Sequence, residues 1–241
     1  MGEFLQDIFP ILIIFIVLFG YIIYHFINFK IYSNSSYYEK TNNSYFSILF
    51  DAGIQGEYKV SQKVQNLEFE GCKVLFNLYI PTKNGKTTEI DVLVISDCGL
   101  FVIESKNYSG WIFGNDYQKY WTQTLPAGRY GINKEKFYNP VKQNYYHLVS
   151  LRNFLKTTVP FYSLIVFSDH CEFKNVQVNQ RNTKVIHNYQ LKKTINNIRN
   201  SETKSYLSLE QIENMYQRLI PYSQVDSSIK YQHIQNIRKN F

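Results

Sequence analysis

The sequence predicts an α/β fold, in which a mixed central sheet is flanked by helices and preceded by one transmembrane helix. An uninterrupted apolar run at the amino terminus predicts the transmembrane helix. Runs of β-branched and aromatic residues, separated by short turns and bounded by segments with helical spacing, predict the sheet and its helices. Because 44% of the residues are hydrophobic and 17% are aromatic, the chain is not disordered.

The apolar run extends from Ile8 to Phe29 and contains no Asp, Glu, Lys or Arg. As a helix it would be roughly 33 Å long, which is enough to cross a bilayer. The start is acidic and lacks a small-residue cleavage site, which favours an uncleaved anchor over a signal peptide. Glu3 and Asp7 precede the run and Lys30 and Lys40 follow it. The positive-inside rule therefore predicts a single-pass protein whose carboxyl-terminal domain is cytoplasmic.

Cysteine content and charge limit the compartment and the partners. The three cysteines, Cys72, Cys98 and Cys171, show no CxxC spacing, as expected of a reduced compartment without a zinc ribbon. Removing residues 1–29 removes two acidic residues and no basic one, so 26 Lys and Arg oppose 17 Asp and Glu, a net charge of +9. Phosphates of nucleic acids or anionic lipid head groups suit such a surface, although lysine-rich surfaces often serve solubility alone.

Composition divides the chain into four segments. Residues 1–30 form the predicted anchor, and residues 31–46, rich in Ser, Asn and Tyr, form a polar tether. Residues 47–200 hold the predicted domain, and residues 201–241 form a helical extension. The domain opens with a helix from Ala52, because Val60, Val64 and Leu67 recur at helical spacing. When this apolar stripe is extended toward the amino terminus, Glu57 lies in line with it.

Strands follow this helix. The first is predicted from Lys73 to Ile80, and a hairpin with a turn at Asp97 to Gly99 follows between Thr87 and Asn107. A second helix begins near Asn139, with Pro140 at its first position. Two further strands are predicted, from Phe161 to Ser168 and from Thr183 to His187. The inward face of the second helix is predicted to carry Val141, Tyr145, Leu148 and Leu155.

The hairpin carries charges that a buried strand should exclude. Strand alternation places Asp91 on one face with Glu89, Leu93 and Ile95, and places Glu104 and Lys106 on one face with Leu100 and Val102. Asp91 and Glu104 can therefore converge across the hairpin. Two such carboxylates repel each other unless a divalent cation neutralises both. A cross-strand ion pair at a sheet edge is the alternative that the hairpin alone leaves open.

Several motifs occur in an order that resembles the nuclease-related domain family, NERD, of the PD-(D/E)xK or restriction-endonuclease-like superfamily. They are GIQGEYKV, EIDVLVISDCGLFVIESKNYSGWIFG, YW and YNPVKQNYYHLVSLRNFL, within roughly Phe50 to Leu155. The resemblance implies a restriction-endonuclease-like mixed sheet with flanking helices and Mg²⁺-dependent hydrolysis of phosphodiester bonds. It implies functional roles for the acidic helix position, the "ID" aspartate, the E-x-K pair and the helix glutamine, which fall on Glu57, Asp91, Glu104, Lys106 and Gln143.

Roles for these residues follow from the resemblance. Asp91 and Glu104, with the backbone carbonyl of Ser105, would hold Mg²⁺ or Mn²⁺, and Glu57 would reach a second metal or position its hydrated ligands. Lys106 would orient or help deprotonate a water molecule. Gln143 would hydrogen-bond that water or Lys106. Hard oxygen ligands favour these ions over zinc.

One histidine was considered and left outside the predicted site. His147 lies one helical turn beyond Gln143, but a lone helix histidine is more often structural.

The first hypothesis for the function is a membrane-anchored, metal-dependent nuclease that faces the cytoplasm and cleaves nucleic acid, with DNA favoured over RNA. The alternative is a module at the membrane that binds nucleic acid or recruits a partner without cleaving.

Overall fold

A computed structural model describes residues 2–126, 128 and 131–238. The helices within them are α1 (Gly2–Ser33), α2 (Ser36–Thr41), α3 (Tyr45–Phe50), α4 (Ala52–Val64), α5 (Pro140–Leu155), α6 (Leu191–Ser201), α7 (Leu209–Ser223) and α8 (Ser227–Arg238). The strands are β1 (Lys73–Pro81), β2 (Thr87–Ser96), β3 (Gly99–Lys106), β4 (Gly110–Asn115), β5 (Tyr120–Pro126), β6 (Ile132–Tyr138), β7 (Phe161–Phe167), β8 (Cys171–Gln177) and β9 (Thr183–His187).

The central sheet has the strand order β1-β2-β3-β7-β9. Strands β1, β2 and β3 pair antiparallel, whereas β3, β7 and β9 pair parallel, so the sheet is mixed. Helices α4 and α6 cover one face and form with it the α4-side core. Helices α5 and α7 cover the other face and form the α5-side core. The predicted fold class, a mixed sheet flanked by helices, is confirmed.

The helix stripes follow the prediction with one exception. Val60, Val64 and Leu67 are all buried in the α4-side core. On α5, Val141, Leu148 and Leu155 are buried, but the prediction for Tyr145 is wrong, because its side chain is 59% exposed. Its neighbour Asn144 faces the sheet instead and donates hydrogen bonds to the carbonyl of Val102 and the hydroxyl of Ser163, each 2.9 Å long. These bonds satisfy the amide nitrogen of Asn144, whereas its Oδ1 is buried without a hydrogen-bond partner among the described residues.

A second sheet was not predicted from the sequence. Its strand order is β6-β5-β4-β8, and its inner side packs on Phe167 of the central sheet. The fully buried ring of Trp121 stacks on Phe167, with a centroid distance of 6.1 Å and an interplanar angle of 7°. Strand β6, by contrast, is exposed along most of its length. Its polar sequence therefore lacks the apolar alternation that identifies a half-buried strand.

Helix α1 contains the apolar stretch Phe9–Ser33, whose most apolar 18 residues have a mean hydropathy of 2.4. Every residue from Phe9 to Tyr24 is exposed. By length and composition this helix could cross a membrane, and a signal sequence at the same position would have the same properties.

The predicted polar tether, residues 31–46, is folded instead. Helix α1 continues to Ser33, and the short helices α2 and α3 follow, capped by the hydroxyls of Ser35 and Ser44. Tyr37 is completely buried in the α4-side core. The prediction counted the tyrosines of this segment as polar residues, although each ring brings a large apolar surface to the core.

The region predicted as a helical extension, residues 201–241, contains helices α7 and α8 but is not helical at residues 202–208 and 224–226, and residues 239–241 lie outside the described residues. Ile212 and Leu219 of α7 are buried in the α5-side core. Helix α7 is therefore part of the layer that covers the central sheet.

Candidate active site

The β2–β3 hairpin opens at the position of the two predicted carboxylates. Regular pairing between these strands runs from Ser96 and Gly99 to Val92 and Ile103. Beyond the last pair, the backbone N–H of Ser105 donates a 2.8 Å hydrogen bond to Oδ2 of Asp91. A side chain thus replaces the neighbouring strand as the acceptor at the point where the strands separate.

The sheet also reverses its faces at this point. In β2, Ile90 packs in the α5-side core, whereas Val92, two residues later, packs in the α4-side core. The same change occurs in β1 between Phe76 and Leu78. The prediction that side chains alternate strictly between the two faces along β2, through Asp91, is therefore wrong.

Asn77 explains the reversal of faces. It lies between Phe76 and Leu78 and has a left-handed backbone with φ of 51°, which Asn adopts more readily than most residues. Register pairs flank Asn77 and Asp91 on both sides, but these two residues do not themselves pair. Asp91 consequently lies where groups from both faces of the sheet can approach it.

Lys106 connects Glu104 to helix α5. Its Nζ lies 2.6 Å from Oε1 of Glu104 and donates a 3.1 Å hydrogen bond to Oε1 of Gln143. Glu104 is only 1% exposed, so this ion pair is shielded from solvent. The predicted contact between Gln143 and Lys106 is present in the structure.

His147 also lies against the carboxylate of Glu104, although the sequence did not assign it to the site. Its Nε2 is 3.2 Å from Oε2 of Glu104, and its Nδ1 is 2.6 Å from Oγ1 of Thr88. Apart from this contact with each other, neither Nε2 of His147 nor Oε2 of Glu104 has a polar partner among the described residues, and both atoms are buried. In the sequence, the indication that His147 lies near the site is its position one helical turn after Gln143 on α5.

The two hairpin carboxylates differ in electrostatic environment. Burial raises the pKa of Asp91 well above its usual value, and the charges of Glu104 and Glu57 raise it further. Burial also acts to raise the pKa of Glu104, but Lys106 and His147 outweigh it, and the net shift of this pKa is downward. For Lys106, burial acts to lower the pKa, but the carboxylates of Glu104 and Asp91 raise it overall. Glu104 and Lys106 therefore form a charged pair beside an Asp91 that disfavours ionisation.

Glu57 approaches this cluster from the opposite face of the sheet. A Cβ atom on the preceding residue, Gly56, would lie 2.9 Å from Cβ of Asn107 and 3.0 Å from Oγ of Ser105, so glycine allows α4 to pack closely on the end of β3. Oε2 of Glu57 accepts a 2.8 Å hydrogen bond from the hydroxyl of Tyr37. Burial is the main cause that raises the pKa of Glu57 to about 7.

The donor atoms fit a hard divalent cation. Asp91 and Glu104 offer carboxylate oxygens, and among the described residues the 3.2 Å contact with Nε2 of His147 is the only polar contact of Oε2 of Glu104. Within the same residues, no three His, Cys, Asp or Glu side chains converge into a complete ligand set. Mg²⁺ commonly retains several water ligands and binds through one or two carboxylates, so two carboxylates with a backbone carbonyl match its requirement.

The structure thus brings the predicted residues into one region. Asp91, Glu104, Ser105 and Lys106 come from the opened hairpin, Gln143 comes from α5, and Glu57 comes from α4. His147, Asn77 and Tyr37 are additional neighbours that the sequence did not assign to the site.

Comparison with known proteins identifies the family of the chain. A family model described as the nuclease-related domain matches residues 52–168. An uncharacterized protein of Bacillus anthracis is 31% identical over 189 residues, which cover 78% of this chain and 85% of the relative. No solved structure matches the chain. The chain belongs to the nuclease-related domain family, NERD, which is placed in the PD-(D/E)xK superfamily.

Proposed function

We propose that this protein is a metal-dependent nuclease, anchored in a membrane by α1, that hydrolyses phosphodiester bonds on the cytoplasmic side, with DNA favoured over RNA. The observation that carries the proposal is the buried carboxylate of Glu104. One of its oxygens pairs with Lys106 at 2.6 Å, and the other has Nε2 of His147, 3.2 Å away, as its only polar neighbour among the described residues. Family membership supports a nuclease-related function.

Asp91, Glu104 and the carbonyl of Ser105 would hold Mg²⁺ or Mn²⁺. The bound ion would lower the pKa of a coordinated water and offset the charge that develops on the scissile phosphate. Glu57 approaches from the other face of the sheet, where it would hold a second metal or its hydrated ligands.

Lys106 would orient the attacking water and help to deprotonate it. Its ammonium is held between Glu104 and Gln143, and these two acceptors fix its direction. His147 would in turn fix the rotamer of Glu104, because Thr88 holds its other ring nitrogen. Preorganised side chains of this kind avoid reorganisation during the reaction.

A groove beside the site suits a phosphodiester backbone. It has a volume of about 210 Å³ and is lined by α4 and the ends of β3 and β7. Lys59 and Lys63, one helical turn apart, line it together with Lys106. These ammonium groups would neutralise phosphates next to the proposed metal position.

The decisive experiment is a cleavage assay on plasmid DNA, single-stranded DNA and RNA, with Mg²⁺, Mn²⁺ or EDTA. We expect cleavage only with metal, and a loss of several orders of magnitude in Glu104→Gln.

The chain offers a matched control for this variant. Glu172 and Lys174 have the same E-x-K spacing and the same 2.6 Å separation as the site pair, but their side chains are 60% and 39% exposed. Glu172→Gln should cleave as the wild type does. Nucleic-acid binding without cleavage under every condition would refute the nuclease and leave the non-cleaving module.

A further inference from the structure

The residues between α1 and α4, numbers 34–51, form a connecting segment that lies before the part of the chain matched by the family model. This segment nevertheless supplies a direct contact to the candidate site. The hydroxyl of Tyr37 donates a 2.8 Å hydrogen bond to Oε2 of Glu57, and Tyr37 is completely buried.

A chain of hydrogen bonds orients this hydroxyl. The side-chain amide of Asn43 donates to the Tyr37 oxygen at 3.1 Å, which leaves the Tyr37 proton to be donated to Glu57. Asn43 is itself held, because the hydroxyl of Tyr32 donates a 2.6 Å bond to its backbone carbonyl. Tyr32 belongs to the last turn of α1, so the chain connects the end of the apolar helix to a carboxylate of the site.

Ring packing fixes the position of Tyr37 as well. Its ring lies edge-on to Phe76 with centroids 5.2 Å apart, and its centroid is 5.8 Å from that of Tyr58. Phe76 directly precedes Asn77, where the sheet reverses its faces. The hydroxyl is therefore carried on a ring that is locked against the distorted part of β1.

We propose that Tyr37 is a positioning residue of the catalytic centre, which holds the carboxylate of Glu57 in its working orientation, and that the connecting segment completes the site. The inference rests on the proposed function, because Glu57 has work to do only if the site cleaves phosphodiesters. Tyr37 itself touches neither substrate nor metal. Loss of such a supporting hydrogen bond at a metal site commonly reduces activity about 10- to 100-fold.

The test compares Tyr37→Phe with Tyr38→Phe in the full chain in detergent or lipid. Tyr37→Phe keeps the buried ring and removes only the hydroxyl, whereas Tyr38 is the next residue and is 39% exposed. We expect kcat to fall about 10- to 100-fold in Tyr37→Phe with KM nearly unchanged, and both constants to remain at wild-type values in Tyr38→Phe.

A second measurement tests the contact without relying on activity. Melting temperatures of wild type, Tyr37→Phe, Glu57→Gln and the double variant form a double-mutant cycle. We expect the shifts to be non-additive, because Tyr37→Phe removes the donor of the hydrogen bond and Glu57→Gln removes the charge of its acceptor, so that either change abolishes the charged interaction. Additive shifts, or an unchanged kcat in Tyr37→Phe, would overturn the inference.

The two proposals fail in different ways. If the wild type cleaves and Tyr37→Phe cleaves equally well, the positioning role is wrong and the nuclease stands. If the wild type cleaves no substrate, the proposed function is wrong and the catalytic role of Tyr37 is refuted with it, whatever the melting temperatures show.

Discussion

In the metal-free protein, replacing Glu104 or Asp91 by its neutral amide should shift the melting temperature in opposite directions. Glu104→Gln removes the partner of a buried lysine, so we expect the melting temperature to fall. Asp91→Asn removes a charge that burial, Glu104 and Glu57 all disfavour, so we expect the melting temperature to rise. Both variants keep the shape of the side chain, and this isolates the effect of charge.

The expected loss in Glu104→Gln follows from the ion-pair geometry. At 2.6 Å and an effective dielectric constant of about 20, the attraction between Glu104 and Lys106 is roughly 6 kcal/mol. The side chains are 2% and 17% exposed, so solvent screens them little. Desolvation offsets part of the attraction, and removing one partner of a buried pair costs about 3 kcal/mol net. In a protein of this size that loss lowers the melting temperature by roughly 6–12 °C.

The assay is thermal unfolding at pH 8 in EDTA, followed by the fluorescence of the two tryptophans. The exposed pair again supplies the control, and we expect Glu172→Gln to shift the melting temperature by less than about 2 °C. Adding Mg²⁺ or Mn²⁺ should then stabilise the wild type and neither site variant. Equal shifts in Glu104→Gln and Glu172→Gln, or destabilisation by Asp91→Asn, would refute the electrostatic reasoning.

Three further outcomes follow from the charges and the apolar helix. Because the pKa of Glu57 is raised from 4.5 to about 7, the folded state binds more protons than the unfolded state between these values, and stability should fall by about 3 kcal/mol as the pH rises through this window. Urea unfolding at pH 5 and pH 8 should show a larger loss in the wild type than in Glu57→Gln, which keeps the contribution of the raised Asp91 pKa. The net charge of +9 over residues 30–241 should make DNA binding in EDTA weaken steeply with salt. An anisotropy titration that is flat between 50 and 200 mM salt, about the range over which such binding changes most, would contradict this prediction. Fusions at the carboxyl terminus should give green fluorescence and no alkaline phosphatase activity if α1 is an anchor with the domain in the cytoplasm.

The sequence was sufficient where the relevant signal is local. The hairpin, the first helix and the buried strand β7 follow from periodicity and turn residues within short windows. The grouping of Asp91, Glu104 and Lys106 needed only the pairing of adjacent strands. Glu57 and Gln143 could be assigned to the site only through the family resemblance. Both lie far in sequence from the hairpin, so no local pattern indicates that they are close to its carboxylates.

The remaining features depend on contacts that are remote in sequence. The exposed strand β6 has no apolar pattern, and the burial of Tyr37 depends on a core built by α4 and β1. His147 could not be assigned to the site, because the neighbours of a lone helix histidine in the sequence do not distinguish a functional role from a structural one. Its contacts with Thr88 and Glu104 appear only when α5 packs on the sheet.

The reversal at Asn77 and Asp91 explains why the site lies where it does. A regular sheet keeps the side chains of its two faces apart, so a carboxylate on α4 and one facing α5 could not share a ligand. Where the strands separate and the faces exchange, Glu57 and Glu104 both come close enough to raise the pKa of Asp91. The same separation frees the N–H of Ser105 to bind a side chain. In the proposed nuclease, helices on opposite sides of the sheet would therefore contribute to one catalytic centre at this irregular point, and Asn77 and Tyr37 would support the site without touching the substrate.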